Sequence, residues 1–140
     1  MHPKRVLFIC VQNSARSQMA EGMARHFLGH QTDCMSAGSQ PALRVHPMAV
    51  AVMAEIGIDI SNHKPKSLSD VDLSRFDLVI ALCAEEQCPV LPASIKKESW
   101  NLTDPAAFDL PDDQLIKKFR KIRDEIRKKV LTLRAAETVW

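Results

Sequence analysis

Apolar positions recur along this chain with two different periods. Arg5 to Cys10 (Arg-Val-Leu-Phe-Ile-Cys) is a short β-branched and aromatic run that stops at Asn13-Ser14, the pattern of a buried strand. The period then changes. Met19, Met23, Ala24, Phe27 and Leu28 form a helical stripe from about Ser14 to Leu28, with Gly29 where a C-terminal cap belongs. Thr32 to Ala37 reads as a weaker second strand stopped by Gly38. A helix from about Pro47 to Ile56 has proline in its first turn and Gly57 as its stop, and buries Ala49, Val50, Val52, Met53 and Ile56. Asp77 to Leu82 is almost wholly apolar, as expected of a central parallel strand covered on both faces. Ser99 to Leu102 is expected to form a short last strand. From about Asp112 to Leu133, Leu115, Phe119, Ile122, Ile126, Val130 and Leu133 recur every three or four residues, predicting a long C-terminal helix. Strands alternating with helices imply an α/β fold with a parallel sheet.

Composition narrows the picture without redirecting it. The chain has 140 residues, 46% hydrophobic and 26% charged, and no internal repeat or linker, so a single catalytic domain over residues 1–140 is expected. A net charge of +2 argues against nucleic acid as a partner. The basic residues gather late, from Lys117 to Lys129, interleaved with Asp124, Glu125 and apolar positions, which reads as a solvated helix face. No apolar run approaches the ~20 residues of a membrane span. Val6 to Cys10 falls short of a signal-peptide core of about 7–15 residues. A cytoplasmic, reducing location is therefore expected, and the four cysteines are not expected to form a structural disulfide framework. His26, His30, His46 and His63 lack metal-ligand spacing and read as surface or packing residues, and no cofactor or metal is expected.

The candidate chemistry lies where the first strand meets the first helix. Ligands of open α/β sheets bind beyond the carboxyl ends of the strands. A helix N-terminus offers unpaired N–H groups and a partial positive charge, and successive loop amides can form an anion-binding nest. The segment Cys10-Val11-Gln12-Asn13-Ser14-Ala15-Arg16-Ser17 fits that role, with Cys10 a nucleophile favoured as thiolate. The planar fork of Arg16 can hold two oxygens of a tetrahedral anion, and Ser14 and Ser17 can donate to the thiolate or the loop. Taken alone, Cys-x5-Arg also describes a buried cysteine beside a surface arginine. Asp104-Pro105 is either an ordinary turn or a carboxylic acid aimed by the proline to protonate a leaving oxygen. Cys83 and Cys88, five apart after the central strand, read generically as packing or as a pair of metal ligands, although zinc needs four. Cys34, inside a strand, reads as a small core residue.

Cys10-Val-Gln-Asn-Ser-Ala-Arg-Ser17-Gln-Met-Ala-Glu-Gly22 resembles the signature of the low-molecular-weight phosphotyrosine phosphatase superfamily, most closely its arsenate reductase branch. Ser36-Ala37-Gly38, Gly57-Ile-Asp-Ile-Ser-Asn62, Leu82-Cys83 and Asp104-Pro105 match that branch in order and approximate spacing. The resemblance covers nearly the whole chain. It implies a four-stranded parallel sheet flanked by helices on both faces, and it gives Asp104 the general-acid position. It further implies that Cys10 attacks arsenate and that Cys83 attacks the resulting adduct, forming a Cys10–Cys83 disulfide as arsenite leaves. Cys88 then displaces Cys10 from Cys83, and thioredoxin or a similar dithiol protein, or a glutaredoxin and glutathione system, reduces Cys83–Cys88. Phosphate and sulfate are the expected oxyanion mimics. In a regular helix, positions 83 and 88 would lie about 7.5 Å apart along the axis. A disulfide needs Cα atoms within about 4.4–6.8 Å, so forming this one is expected to unwind the segment.

Two departures stand out. Some family members bind potassium at the positions of Asn13 and Ser36 together with a later acidic residue. Here Ser61-Asn62-His63-Lys64-Pro65-Lys66 carries Lys66 at that later place, expected to stabilise the loop as a built-in cation or else to be a solvated lysine. Ala15 stands where a cysteine is common. A phosphotyrosine phosphatase is the alternative: it uses Cys10, Arg16 and Asp104 alike but needs neither Cys83 nor Cys88. It usually follows Asp-Pro with aromatic residues, and here Ala106-Ala107 follow Pro105, with no tyrosine in the chain. Weak phosphatase activity remains an expected side reaction. A thiol-based redox sensor would account for the cysteines but not for Arg16 or Asp104. A monomer is expected.

Overall fold

A computed structural model describes residues 4–29, 32–83 and 90–135. Four parallel strands form one sheet in the order β2-β1-β3-β4: β1 Arg5–Cys10, β2 Asp33–Gly38, β3 Leu78–Ala81 and β4 Lys97–Ser99. Among the described residues three α-helices accompany them, α1 Arg16–Leu28, α2 Pro47–Glu55 and α3 Asp112–Ala135. The order of strands reverses direction between β1 and β3. Their carboxyl ends therefore open the crevice in which such sheets place ligands.

The two faces of the sheet are covered differently. Val6, Phe8, Leu78 and Ile80 face Met19 and Met23 of α1, Val52 and Met53 of α2, and Phe119, Ile122 and Ile126 of α3. The opposite face, with Leu7, Ile9, Ala37, Val79 and Ala81, is covered by Leu68, Val71, Leu73, Phe76, Leu91 and Ile95. Two short 3-10 helices, Leu68–Asp70 and Leu73–Arg75, together with the residue that ends each, Val71 and Phe76, supply four of those six side chains. The near-continuous apolar run of β3 follows from this arrangement, since all four of its residues are buried. Losing the largest of these core side chains, Phe8 or Phe119, costs about 3–5 kcal/mol.

Most boundaries differ by a residue or two from those the sequence predicts, and at two of them the cause is visible. The helix expected from Ser14 begins at Arg16, because residues 11–15 form a loop in which Asn13 adopts φ 51°. The last strand expected at Ser99 to Leu102 lies instead at Lys97–Ser99, three exposed residues. Trp100 and Leu102 are buried as their apolar character requires, and their N–H groups donate to Ala81 O and Leu82 O. Asn101 between them adopts φ 40°, which breaks the extended backbone. Both edges of the sheet are guarded. On β2, Cys34 O accepts from Arg25 Nη2 at 3.1 Å, and Gly38 pairs with Ser67.

On the outer side, Arg120 and Arg123 of α3 hold Glu55 at the end of α2, with Arg123 Nη1 also donating to Val52 O at 2.9 Å. These bonds hold the Glu55 carboxyl down at about 2.

Candidate active site

Cys10 is the last residue of β1 and is 2% exposed. Its Sγ lies 2.8 Å from Ser17 Oγ and receives the Asn13 N–H at 3.3 Å. Asn13 Nδ2 donates to Ser17 Oγ at 2.7 Å, which leaves the hydroxyl proton of Ser17 for Cys10. Ser14 was expected to share this task, but its side chain makes no hydrogen bond to a described residue; only its carbonyl is engaged, by His46 N–H. Two donors therefore meet at one sulfur. The N–H groups of Gln12, Ser14 and Ala15 have no protein partner among the described residues, and Ser14 and Ala15 are buried. Buried amides without a protein acceptor at the start of a helix are what an anion cradle requires.

Arg16 opens α1 and is 4% exposed. Its Nη1 donates to Leu82 O at 3.2 Å and to Leu102 O at 2.9 Å. That grip leaves Nε and Nη2 as the edge available for bidentate recognition of an oxyanion. Nη2 lies 3.8 Å from Asp104 Oδ2. Asp104 in turn begins a 3-10 turn over Pro105–Ala107, where Oδ1 accepts the Ala106 N–H at 3.0 Å. One arginine thus ties together the ends of β3, β4 and the oxyanion loop.

Cys83 directly follows Leu82, is 1% exposed, and is disulfide-bonded. Cys10 and Cys34 carry free thiols. Cys88, and with it the expected unwinding of residues 83–88, lies outside the described residues, as does His30. Cys34 is buried, and its thiol is pushed up to about 12, chiefly by desolvation.

Behind the loop lies a polar network that reading the sequence largely missed. Gln18 Nε2 donates to Asn13 Oδ1 at 3.0 Å and to Lys64 O at 3.0 Å, while Gln18 Oε1 meets His63 Nδ1 at 3.1 Å. Glu21, 3% exposed, receives Ser36 Oγ at 2.7 Å and faces Lys66 Nζ at 3.4 Å, Arg25 Nη2 at 3.4 Å and His63 Nδ1 at 3.5 Å. Lys66 also touches the loop through its backbone, donating N–H to Asn13 Oδ1 at 2.8 Å. Ser36 and Lys66 are thus brought together around a glutamate, and Asn13 joins them through the backbone of Lys66. Gln18 and Glu21 were visible as two polar residues three apart within an otherwise apolar helix stretch. His63 is held below the ordinary histidine range by burial, against the pull of Glu21.

His46 caps α2, its Nδ1 accepting the Met48 N–H at 3.1 Å, and its ring lies 4.7 Å from that of Phe119. Burial lowers its pKa, with Asp104 opposing. Among the described residues no cluster of three metal-binding side chains occurs, and no helix is long and apolar enough to cross a membrane.

A parallel α/β sheet that ends one strand in a buried cysteine, wraps it in inward amides and sets an arginine and an aspartate above it defines a class of thiol enzymes acting on tetrahedral oxyanions. Within that class the chain belongs to the low molecular weight phosphotyrosine protein phosphatase family, which it matches over residues 5–138. It is 42% identical over 132 residues to arsenate reductase 1 of Staphylococcus haemolyticus (strain JCSC1435), covering 93% of this chain and 94% of that one. A solved structure described as an arsenate reductase in the phosphate binding state superposes with a TM-score of 0.78 at 37% identity, covering 95% of this chain and 98% of the other. The thioredoxin-dependent arsenate reductase Cg_ArsC1' of Corynebacterium glutamicum gives a TM-score of 0.69 at 31% identity, with 95% of this chain matched to 63% of the longer one.

Proposed function

We propose that the protein reduces arsenate to arsenite through a thiol relay. Arsenate binds in the cradle of residues 11–17, and the Nε/Nη2 edge of Arg16 takes two of its oxygens. Asp104, whose Oδ2 lies 3.8 Å from Arg16 Nη2, is the general acid beside that anion. The Cys10 thiolate forms a bond to arsenic, and one arsenic oxygen leaves as water with the proton from Asp104. The Cys83 thiolate then attacks Cys10 Sγ. The S–As bond breaks, its electron pair stays on arsenic, and arsenite departs as the Cys10–Cys83 disulfide forms. Cys88 attacks Cys83, freeing Cys10, and an external dithiol of the thioredoxin class reduces Cys83–Cys88. The observation that carries this reading is the bond from Arg16 Nη1 to Leu82 O, which ties the backbone immediately before Cys83 to the cradle holding Cys10. The arsenate reductase relatives support the same substrate.

Lys66 is the loop-stabilising cation in this reading, its ammonium beside Glu21 taking the place that potassium takes in some relatives. The protein works as a cytoplasmic monomer, and it hydrolyses phosphate esters weakly through Cys10, Arg16 and Asp104. The test is arsenite released in one turnover by prereduced protein, followed by steady turnover with thioredoxin, glutaredoxin and glutathione systems compared. Cys83→Ser is expected to abolish arsenite release while sparing p-nitrophenyl phosphate hydrolysis. Phosphate-ester hydrolysis by the wild type with no arsenite formed would make it a phosphatase instead.

A further inference from the structure

An oxyanion cradle works only if its peptide N–H groups point inward, and something must turn them that way. In a trans peptide the carbonyl and the next residue's N–H point in opposite directions. Holding the carbonyl outward therefore aims the amide at the anion. Four consecutive carbonyls of the loop are held in this way. Val11 O accepts from Gln40 N–H at 2.8 Å, Gln12 O from Ala42 N–H at 2.9 Å and Ser14 O from His46 N–H at 2.9 Å. Asn13 O accepts from Gln18 Nε2 at 3.2 Å. The amides at the other ends of these four peptides belong to Gln12, Asn13, Ser14 and Ala15. The direction can be checked at one of them, since Asn13 N–H donates to Cys10 Sγ.

Three of the four clamps come from one stretch, residues 39–46, running from the end of β2 to the start of α2. Its far end is fixed firmly. His46 caps α2 through Nδ1, and its ring rests on the fully buried Phe119 of α3. We propose that residues 39–46 are a positioning element that presets the oxyanion cradle, with Gln40, Ala42 and His46 acting through their backbone N–H groups and the His46 cap locking the element in place. Without these clamps a loop peptide can flip and present its carbonyl oxygen to both the thiolate and the anion, which repels them. The inference rests on the reading of the loop as an oxyanion site.

Sulfate is the probe, because it stays dianionic across the working range and undergoes no chemistry. Its affinity is measured calorimetrically on the reduced full-length protein at pH 8, where His46 is neutral. Replacing Ala42 by lactic acid through chemical ligation puts an ester oxygen where the N–H was and leaves the side chain unchanged. Losing one such bond is expected to weaken sulfate binding about fivefold or more and to lower the thermal midpoint by only a few degrees. The control, Leu43→Ser at the fully exposed tip of the element, is expected to bind like wild type. His46→Ala, which removes the cap, is expected to weaken sulfate, and His46→Asn, whose side chain can cap in its place, to recover most of the loss. Unchanged sulfate affinity in the ester protein and in His46→Ala overturns the proposal. So does a His46→Asn protein as weak as His46→Ala. If the ester protein does not fold, the two His46 variants decide. A wild type that binds sulfate but forms no arsenite defeats the functional reading while leaving the positioning role standing.

Discussion

Gly38→Ala offers a sharp probe of how closely the sheet and the oxyanion loop are fitted. Gly38 has no unusual φ, so its requirement is for space. A Cβ there would lie 2.5 Å from Val11 O, 2.9 Å from Asn13 N and 3.1 Å from Asn13 Cβ. An ordinary carbon–oxygen approach is about 3.3 Å, so roughly 0.8 Å must be found. The strand cannot easily give it up, since Gly38 is in register with Cys10 and donates its N–H to Lys66 O at 2.9 Å. The loop must move instead, and with it the peptides on either side of Gln12. Sites of this kind tolerate about 0.5 Å of misplacement. A displacement near 1 Å is expected to slow single-turnover arsenite formation about 100-fold, while overpacking removes about 1–3 kcal/mol of stability. Quenched-flow arsenite measurement on prereduced protein gives the rate, and urea unfolding gives the stability. A Gly38→Ala protein within threefold of the wild-type rate and of native stability would refute the claim that the end of β2 and the loop are in rigid contact.

Four further outcomes follow from the same geometry. Arg16→Lys keeps the charge but cannot grip Leu82 O and Leu102 O while presenting a bidentate edge, so single-turnover rate should fall about 100-fold or more; activity within tenfold of wild type would contradict this. Wild-type turnover should be indifferent to potassium and Lys66→Ala should become potassium-stimulated, so stimulation of the wild type would remove Lys66 from its assigned role. Iodoacetamide at pH 8 should label Cys10 and leave Cys34 unmodified, because the Cys34 thiol is pushed up to about 12; peptide mass spectrometry reads this directly. His46 and His63 are both held below 6.5 in the folded protein by burial. The unfolded chain therefore takes up protons first as pH falls, so their stabilisation is complete above about 6.5 and declines below it. Urea midpoints at pH 8, 6 and 5 should decrease in that order, and a flat profile would count against it.

What could be read from residues alone depended on how local the cause was. β1 and β3 announced themselves because both faces of each are covered, so every position of β3, and every position of β1 after Arg5, is apolar and buried. The stripe of α3 was legible because one face of a long helix meets the core. The last strand was misplaced for a physical reason: its ladder residues Lys97, Glu98 and Ser99 are all exposed at a sheet edge, while the apolar Trp100 and Leu102 lie just beyond it. Cys10, Arg16 and Asp104, the proposed nucleophile, oxyanion clamp and acid, lie in recognisable local patterns. The support behind them does not, because it joins residues far apart in sequence. Gln18 to Lys64, Glu21 to Lys66 and Ala42 to Gln12 are brought together only by folding. The grip of Arg16 on two strand-end carbonyls could not be foreseen either, since its partners are backbone atoms present at every residue.

The guarded edges of the sheet bear on how such a small protein stays apart from its own copies. An exposed strand edge is a template on which another chain can add, and flat apolar edges invite aggregation. Here β4 is only three residues long and carries Lys97 and Glu98, while β2 has its outer carbonyl at Cys34 occupied by Arg25 and its end at Gly38 occupied by Ser67. The ends of the sheet beside the proposed site thus offer a neighbouring chain only short, interrupted or charged edges on which to add. Resistance to edge-to-edge association is thereby assigned to the strand edges, away from the Cys10 loop at the carboxyl ends.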